Sequence, residues 1–513
     1  MVRNLTRRAA LGAIGAALAA APSSANVARS LRPPPRATRG VRVPSLDEVL
    51  GRAGLSGAAA FAALDAGTGA VLEMRDVPGG LPPASVMKTL TAGYALDRLG
   101  PSHAFATRLH GTGPVEGGIL RGDLILAGGG DPTLDTRRLD RLAAALAGAG
   151  VRRIEGRLLT WDGALPSVRR IDPDQDDHLG YNAALSGLNL NYNRVHFGWR
   201  REGEGYQTAF DARSGELRPA WTGARAEIVD RARPVYTYAE ALGHDRWTVA
   251  RRALGAEGAR WLPVRPPALY AADILRVLAA GHGVTLPPRA GTAEAPAGEV
   301  LASDASGPLT DVIRDMLRYS TNLTAEALGL AASLRGGPLD AAAVPAAADG
   351  RRVSPVLSAS GGRMAGWAEG RLGLAGPGVR LVDHSGLGDE SRVTAAAMAG
   401  AMVRLCGTGG PGGGLAPLLR PFGMPNAAGE IDPAHPVRVA AKTGTLNFVS
   451  ALSGVAAAPG GRRIAFAVLC ADPERREAGL ASGDEIPAGA RPWNARAKGL
   501  QRALIARWAA EYA

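Results

Sequence analysis

From about residue 106 to residue 309 the chain changes character, and that change limits what the whole can fold into. Short strand-like pieces (118–126 and 153–162), many Gly/Pro turns and two helices (about 136–147 and 269–280) crowd this stretch. In the second helix Tyr270, Ile274, Leu275 and Leu278 keep helical spacing. The flanks read differently. Ahead of the stretch, Ser45 caps a short helix over 45–53, with Leu46, Val49 and Leu50 on one face. A hairpin follows, 58–64 and 70–75, around the turn Asp65-Ala66-Gly67-Thr68-Gly69. Pro82-Pro83 then leads into a helix over about 85–98 that stops at Gly100. Beyond the stretch, 308–334 reads as helix and 336–350 as an Ala/Gly/Pro/Asp loop. Thr394 caps an Ala/Met helix running to about Leu405, and three strand candidates follow at 437–443, 448–457 and 462–471. A last amphipathic helix, about 493–510, carries Trp493, Leu500, Leu504 and Trp508. The order predicts an α/β domain in two parts, 42–105 and 310–513, split by an insertion at 106–309 of one or two smaller domains.

At 513 residues the chain exceeds one ordinary domain. Hydrophobic residues at 46% exclude a disordered chain, and two cysteines exclude a disulfide scaffold. The 59 Lys+Arg against 47 Asp+Glu give a net charge of +12, yet only Lys88, Lys442 and Lys498 are lysine. That skew follows coding bias, so the arginine surplus says little about partners. Aromatic and basic residues are not interleaved, and no nucleic-acid partner is expected. The scarcity of lysine is more useful. A random position is lysine about 0.6% of the time, so a lysine inside a motif carries weight.

Residues 1–25 hold Arg3, Arg7 and Arg8, no acid, and an apolar run over 9–21, which together read as a secretory signal. Thr6-Arg7-Arg8-Ala9-Ala10-Leu11 resembles a twin-arginine signal, with Ala10 where Phe is common. Residues 26–41, with Pro33-Pro34-Pro35, read as a linker. Export would place the mature chain in the periplasm and lower its charge to +9, which suits an acidic polymer or a membrane surface. No later stretch reaches 18 uninterrupted apolar residues, so no transmembrane span is expected. Cys406 and Cys470 form no CxxC pair; they either pair with each other or stay two buried thiols. The eight histidines have no metal-binding spacing, and neither a metal nor another cofactor is expected.

Three short motifs carry the chemistry. Ser85-Val86-Met87-Lys88 opens a helix, where i and i+3 share a face. A serine hydroxyl becomes a nucleophile when a nearby base takes its proton, and a lysine amine serves if desolvation lowers its pKa. A helix N-terminus also offers N–H groups to an oxyanion. Ser320-Thr321-Asn322 breaks the helical region 308–334. Lys442-Thr443-Gly444-Thr445 ends a strand candidate, with Gly444 allowing close approach to the backbone and Lys442, Thr443 and Thr445 able to hold a carboxylate. Alone, each reads as a capped helix, a turn or a strand end. Two of the chain's three lysines falling on these motifs makes the set hard to dismiss as chance.

Ser-x-x-Lys, Ser-x-Asn and Lys-Thr-Gly, in that order, resemble the motifs of the penicillin-recognising serine acyltransferases and β-lactamases. Ser85 and Ser320 stand 235 positions apart and Ser320 and Lys442 122 apart, the first far more than a compact β-lactamase needs. The chain from about 41 to 513 is similar to the D-alanyl-D-alanine carboxypeptidase/endopeptidase family, the class C low-molecular-mass penicillin-binding proteins, DacB-like serine peptidases in which a large insert follows the nucleophile helix. Leu81-Pro82-Pro83-Ala84-Ser85, Gly129-Gly130-Asp131-Pro132-Thr133-Leu134, Asp383-His384-Ser385-Gly386-Leu387 and the run from Leu446 into Val449-Ser450-Ala451-Leu452-Ser453-Gly454 also resemble family patterns. Two departures are His384, where the family usually has Gly, and Gly388-Asp389-Glu390 in place of a more basic loop.

The resemblance implies a β-lactamase/transpeptidase-like fold, α/β (α+β), with an antiparallel sheet covered by helices. It implies that Ser85 attacks the penultimate D-Ala of a peptidoglycan stem peptide, with Lys88 as base, and that Ser320 and Lys442 pass the proton to the leaving amine. Asn322 would orient the peptide amide and Lys88, and the backbone N–H groups of Ser85 and Thr445 would form the oxyanion hole. Thr443, Gly444 and Thr445 beside Lys442 would bind the terminal carboxylate, and β-lactams would act as covalent inhibitors. Asp174, Asp176, Asp177 and Tyr181 could contact a diaminoacid side chain, although a solvated acidic loop is the simpler reading. A β-lactamase is the enzymatic alternative, but Glu326 starts no Glu-x-x-x-Asn segment. A non-hydrolytic peptidoglycan-sensing protein is the other alternative, and the intact motifs speak against it.

Overall fold

The structure is a computed structural model that describes residues 42–513 apart from 242, 341–353 and 377. The expected signal 1–25 and linker 26–41, and most of the expected loop 336–350, lie outside the described residues.

The central sheet has six antiparallel strands in the order Arg420–Pro421, Arg438–Leu446, Val449–Ala457, Arg463–Ala471, Ala58–Asp65 and Val71–Arg75. The first strands from each end of the chain therefore meet in the middle: Phe61 lies opposite Val468. Successive side chains point to opposite faces, and both faces are covered. Ala60, Ala62, Ala465, Ala467 and Leu469 pack into one core. Phe61, Ala63, Phe466 and Val468 pack into another. Burial on both sides explains why these strands are almost wholly apolar rather than alternating. The first core is roofed by helices Met87–Leu99, Asn322–Leu334, Pro355–Leu372 and Ala395–Cys406. The second is covered by Leu46–Ala53 and Ala490–Glu511, whose Trp493, Leu500, Leu504 and Trp508 are buried as their spacing predicts.

Residues between these parts build separate sheets. A five-stranded sheet runs Arg289–Thr292, Leu158–Trp161, Leu124–Gly128, Ala106–Gly111 and Glu299–Ala305. Its third core is formed only by residues between Leu109 and Ala302, including Tyr270, Ile274, Leu275 and Leu278. The strands that open and close this stretch lie side by side, with Ala106 opposite Ala305. Ser306 N–H then donates to Phe105 O at 2.8 Å, and Leu309 N–H to His103 O at 2.8 Å, so the chain leaves where it entered. Three three-stranded sheets accompany it: Gly205–Asp211, Arg194–Glu202 and Glu257–Pro263; Ala224–Val229, His244–Ala250 and Tyr236–Ala241; and Val115–Glu116, Ile119–Leu120 and Arg153–Ile154.

Several expectations need correction. The strand expected over 118–126 is two strands, Ile119–Leu120 and Leu124–Gly128, parted at Arg121-Gly122-Asp123. That expected over 153–162 is Arg153–Ile154 and Leu158–Trp161, parted at Glu155-Gly156-Arg157. Glycine at each break ends the extended run. Helix Pro355–Leu372 was not expected, because Gly361, Gly362, Gly366 and Gly370 dilute its apolar period. Helix Pro473–Ala481 was also not expected: it buries only Gly479 and so shows no apolar stripe. Cys406 and Cys470 are both free and buried, one in each core on opposite faces of the sheet.

Candidate active site

Ser85 sits in a tight turn, Ala84–Val86, that runs into helix Met87–Leu99. Every residue of that helix from Met87 to Leu96 is buried, Lys88 among them. A helix buried all round must be apolar all round, so a lysine in its first turn needs partners. Lys88 Nζ lies 3.0 Å from Ser85 Oγ and donates to Asn322 Oδ1 at 2.7 Å and to the Ser385 carbonyl at 2.8 Å. Ala84 holds φ 45°, in the left-handed region that non-glycine residues seldom enter. This backbone turn directs Ser85 out of the helix.

The second motif lies at a helix break. Helix Leu309–Tyr319 ends on Ser320, in the left-handed conformation (φ 59°), and helix Asn322–Leu334 starts two residues later. The break turns the two side chains toward different partners. Ser320 Oγ accepts from Lys442 Nζ at 2.9 Å, while Asn322 accepts from Lys88 and donates through Nδ2 to the Tyr181 carbonyl at 3.1 Å. Lys442 is buried in strand Arg438–Leu446 and also donates to the Thr443 carbonyl at 2.7 Å. Thr443 and Thr445 alternate with it and are exposed. A Cβ built on Gly444 would stand 2.8 Å from Ser85 N and 3.0 Å from Pro83 O, so only glycine lets this strand lie against the serine turn. Ser85, Lys88, Ser320, Asn322, Lys442, Thr443, Gly444 and Thr445 thus come together from three separate stretches of chain.

The two lysines differ in their surroundings. Burial depresses the Lys88 amine to about 8, less than it otherwise would, because Glu326 and Asp383 oppose it with negative charge. Burial depresses Lys442 further, to about 6, and Lys88 and Arg420 add like charge. Glu326 is fully buried and accepts the N–H groups of His384 (3.0 Å) and Ser385 (2.9 Å). Asp383 accepts those of Gly386 (3.0 Å) and Gly388 (2.8 Å). Burial pushes both carboxyls up, while the backbone N–H groups they accept and the charge of Lys88 favour their ionised forms. His384, the departure from the family pattern, causes no strain at this turn. Its ring is buried 2.7 Å from Ser360 Oγ and 3.3 Å from Met364 Sδ, and burial holds it neutral, with its pKa near 3.

A cavity of about 430 Å³ opens over Ser85, Ser320, Asn322 and Thr445. Asp174, Asp176 and Tyr181 line it, together with Arg476 and the 483–486 loop. Asp177 is turned away toward Arg170, 3.2 Å distant. Glu326 does not line this cavity. Arg476 ties Asp389 (Nε to Oδ1, 2.9 Å) and the Asn447 carbonyl (2.9 Å) to the rim, a role no sequence motif announces. The part played by Glu326 and Asp383 around Lys88 was also missed. The signal for Glu326 was available: it is the one charge in an otherwise apolar helix, four residues after Asn322 and so on the same face.

Comparison with known proteins gives the chain its family. The chain is 32% identical over 465 residues to the D-alanyl-D-alanine carboxypeptidase of Actinomadura sp. (strain R39), covering 83% of this chain and 80% of that one. Its fold is similar to penicillin binding protein 4 (dacB) from Haemophilus influenzae, with TM-score 0.69 and 19% identity over 88% of this chain and 96% of that one. The same Haemophilus protein complexed with a β-lactam superposes with TM-score 0.63 and 19% identity, over 90% and 98% of the two chains. The model of the D-Ala-D-Ala carboxypeptidase 3 (S13) family matches residues 43–408 and 422–488, and the chain is a member of that family.

Proposed function

We propose that this chain is an exported serine-type D-Ala-D-Ala carboxypeptidase and endopeptidase, acting on peptidoglycan stem peptides through an acyl-enzyme on Ser85. β-Lactams would acylate the same hydroxyl. The observation that carries this reading is the placement of Lys88 Nζ, 3.0 Å from Ser85 Oγ in a water-poor setting. A neutral amine has two N–H groups and one lone pair. Asn322 Oδ1 and the Ser385 carbonyl take the two N–H groups, which leaves the lone pair for the Ser85 proton.

Ser85 Oγ then bonds to the penultimate D-Ala carbonyl carbon while its proton passes to Lys88. The N–H groups of Ser85 and Thr445 hold the oxyanion, at about 3 kcal/mol for each well-aimed donor. Collapse expels the terminal amine, which takes a proton through Ser320 and Lys442. Water releases the acyl group. Lys442, near 6 in the empty site, gains proton affinity when a substrate carboxylate arrives beside Thr443 and Thr445. Asp174, Asp176 and Tyr181 reach the cleft from the 106–309 stretch, which serves in this reading as an accessory module. Among the described residues no helix is long and apolar enough to cross a membrane. The reading of 1–25 as an export signal supports a periplasmic location.

Mass spectrometry of purified muropeptides tests the reading. Loss of one D-Ala from monomeric pentapeptides, and cleavage of crosslinked dimers, are the expected products. Unchanged muropeptides would sink it.

A further inference from the structure

We infer that Glu326 is a positioning residue for acylation: its carboxylate grips the 384–385 backbone so that the Ser385 carbonyl fixes the direction of the Lys88 amine toward Ser85. This rests on the proposed function above. The chain of contacts is short. One carboxylate accepts two consecutive N–H groups, His384 at 3.0 Å and Ser385 at 2.9 Å, and the Ser385 carbonyl then accepts from Lys88 Nζ at 2.8 Å. Asn322, one helical turn before Glu326, supplies the second acceptor. Two of the three directions around Lys88 Nζ are thus set from one face of helix Asn322–Leu334, and the third is left to Ser85.

Satisfying two loop N–H groups does not by itself call for a charge. A buried carboxylate is costly, and a neutral acceptor serves where only a hydrogen bond is needed. What a carboxylate adds here is negative charge beside a buried amine, against the desolvation that lowers its basicity. The other charged or titratable groups facing this cluster are Asp383, which binds Gly386 and Gly388 instead; the neutral His384 ring, turned to Ser360 and Met364; and Lys442 on the sheet side. Glu326 and Asp383 both bias the protonation of Lys88, so a pH profile reports the cluster.

The test is the second-order rate of Ser85 acylation by a fluorescent penicillin between pH 5 and pH 9.5, on the full chain. The labelled fraction normalises each variant to its folded, competent molecules. With Glu326→Gln the acidic limb should move down by about one pH unit, since a negative charge near the amine is lost. The plateau should fall about tenfold or more, since one N–H of the pair then faces an amide NH2. Glu326→Asp keeps the charge but is one methylene shorter. It should hold the limb at the wild-type pH while the plateau falls. An E326Q limb at the wild-type pH overturns the inference, whatever happens to thermal stability. If E326Q yields no competent fraction, E326D decides: a lowered plateau with an unmoved limb supports the inference, and any other profile overturns it. A wild-type chain that does not label at Ser85 overturns the underlying functional reading instead.

Discussion

The cleft has two sides, and each centres on a buried lysine beside a serine. On the helix side, Lys88 is flanked by Glu326 and Asp383 and stays near 8. On the sheet side, Lys442 has cations for company, Lys88 and Arg420, and falls to about 6. The same residue type, equally dry, is therefore given a different basicity by what surrounds it. In the proposed function the helix-side amine takes the proton of the Ser85 hydroxyl. The sheet-side amine, lower still, gains a proton in that reading when the substrate carboxylate arrives. Burial alone would have pushed both the same way; the carboxylates separate them.

Substitutions that remove this distinction give the clearest tests, in descending order of effect. Ser85→Ala should abolish penicillin labelling and lower D-Ala release by about a million-fold, as loss of a nucleophile does; single-turnover kinetics would measure it. Lys88→Arg keeps the charge and removes the base, because guanidinium does not deprotonate at neutral pH. Acylation should fall about a thousandfold, read by the rate of fluorescent-penicillin labelling. Lys442→Ala should cost less, about a hundredfold, and should weigh more on substrates with a free terminal carboxylate than on their amides. Comparing kcat/KM for the two substrates checks this. Gly444→Ala places a methyl 2.8 Å from Ser85 N. The strand must shift, costing about 1–3 kcal/mol, which thermal unfolding and the acylation rate should both register. In the wild type, acylation should rise with pH through about 8, since Lys88 acts only when neutral. A profile falling over that range would reverse the assignment of base.

Much of this arrangement was legible beforehand, because the motifs are local. Ser85 and Lys88 are three apart on a helix, and the break at Ser320 is visible as a polar triplet in a helical run. The change from long apolar runs to short strands at about 106 and 309 is visible in the sequence too. What was not legible depends on contacts between distant stretches. Nothing near Asp383 or Glu326 says that they meet 57 positions apart around one lysine. Nor does His384 reveal that its ring lies against Ser360 and Met364. Helix Pro355–Leu372 shows no clear apolar period, because glycine spaces out its buried positions. The acidic residues at 174–177 were ambiguous in sequence, and the fold divides them: Asp174 and Asp176 line the cleft, while Asp177 pairs with Arg170.

The central claim is that Ser85, activated by Lys88, carries the acyl group. Its most direct test is peptide mapping by mass spectrometry after brief exposure to benzylpenicillin. The account predicts one penicilloyl adduct per chain, on the peptide holding Ser85, and almost none in Lys88→Arg over the same interval. An adduct on another residue, or Lys88→Arg labelled at the wild-type rate, would contradict it.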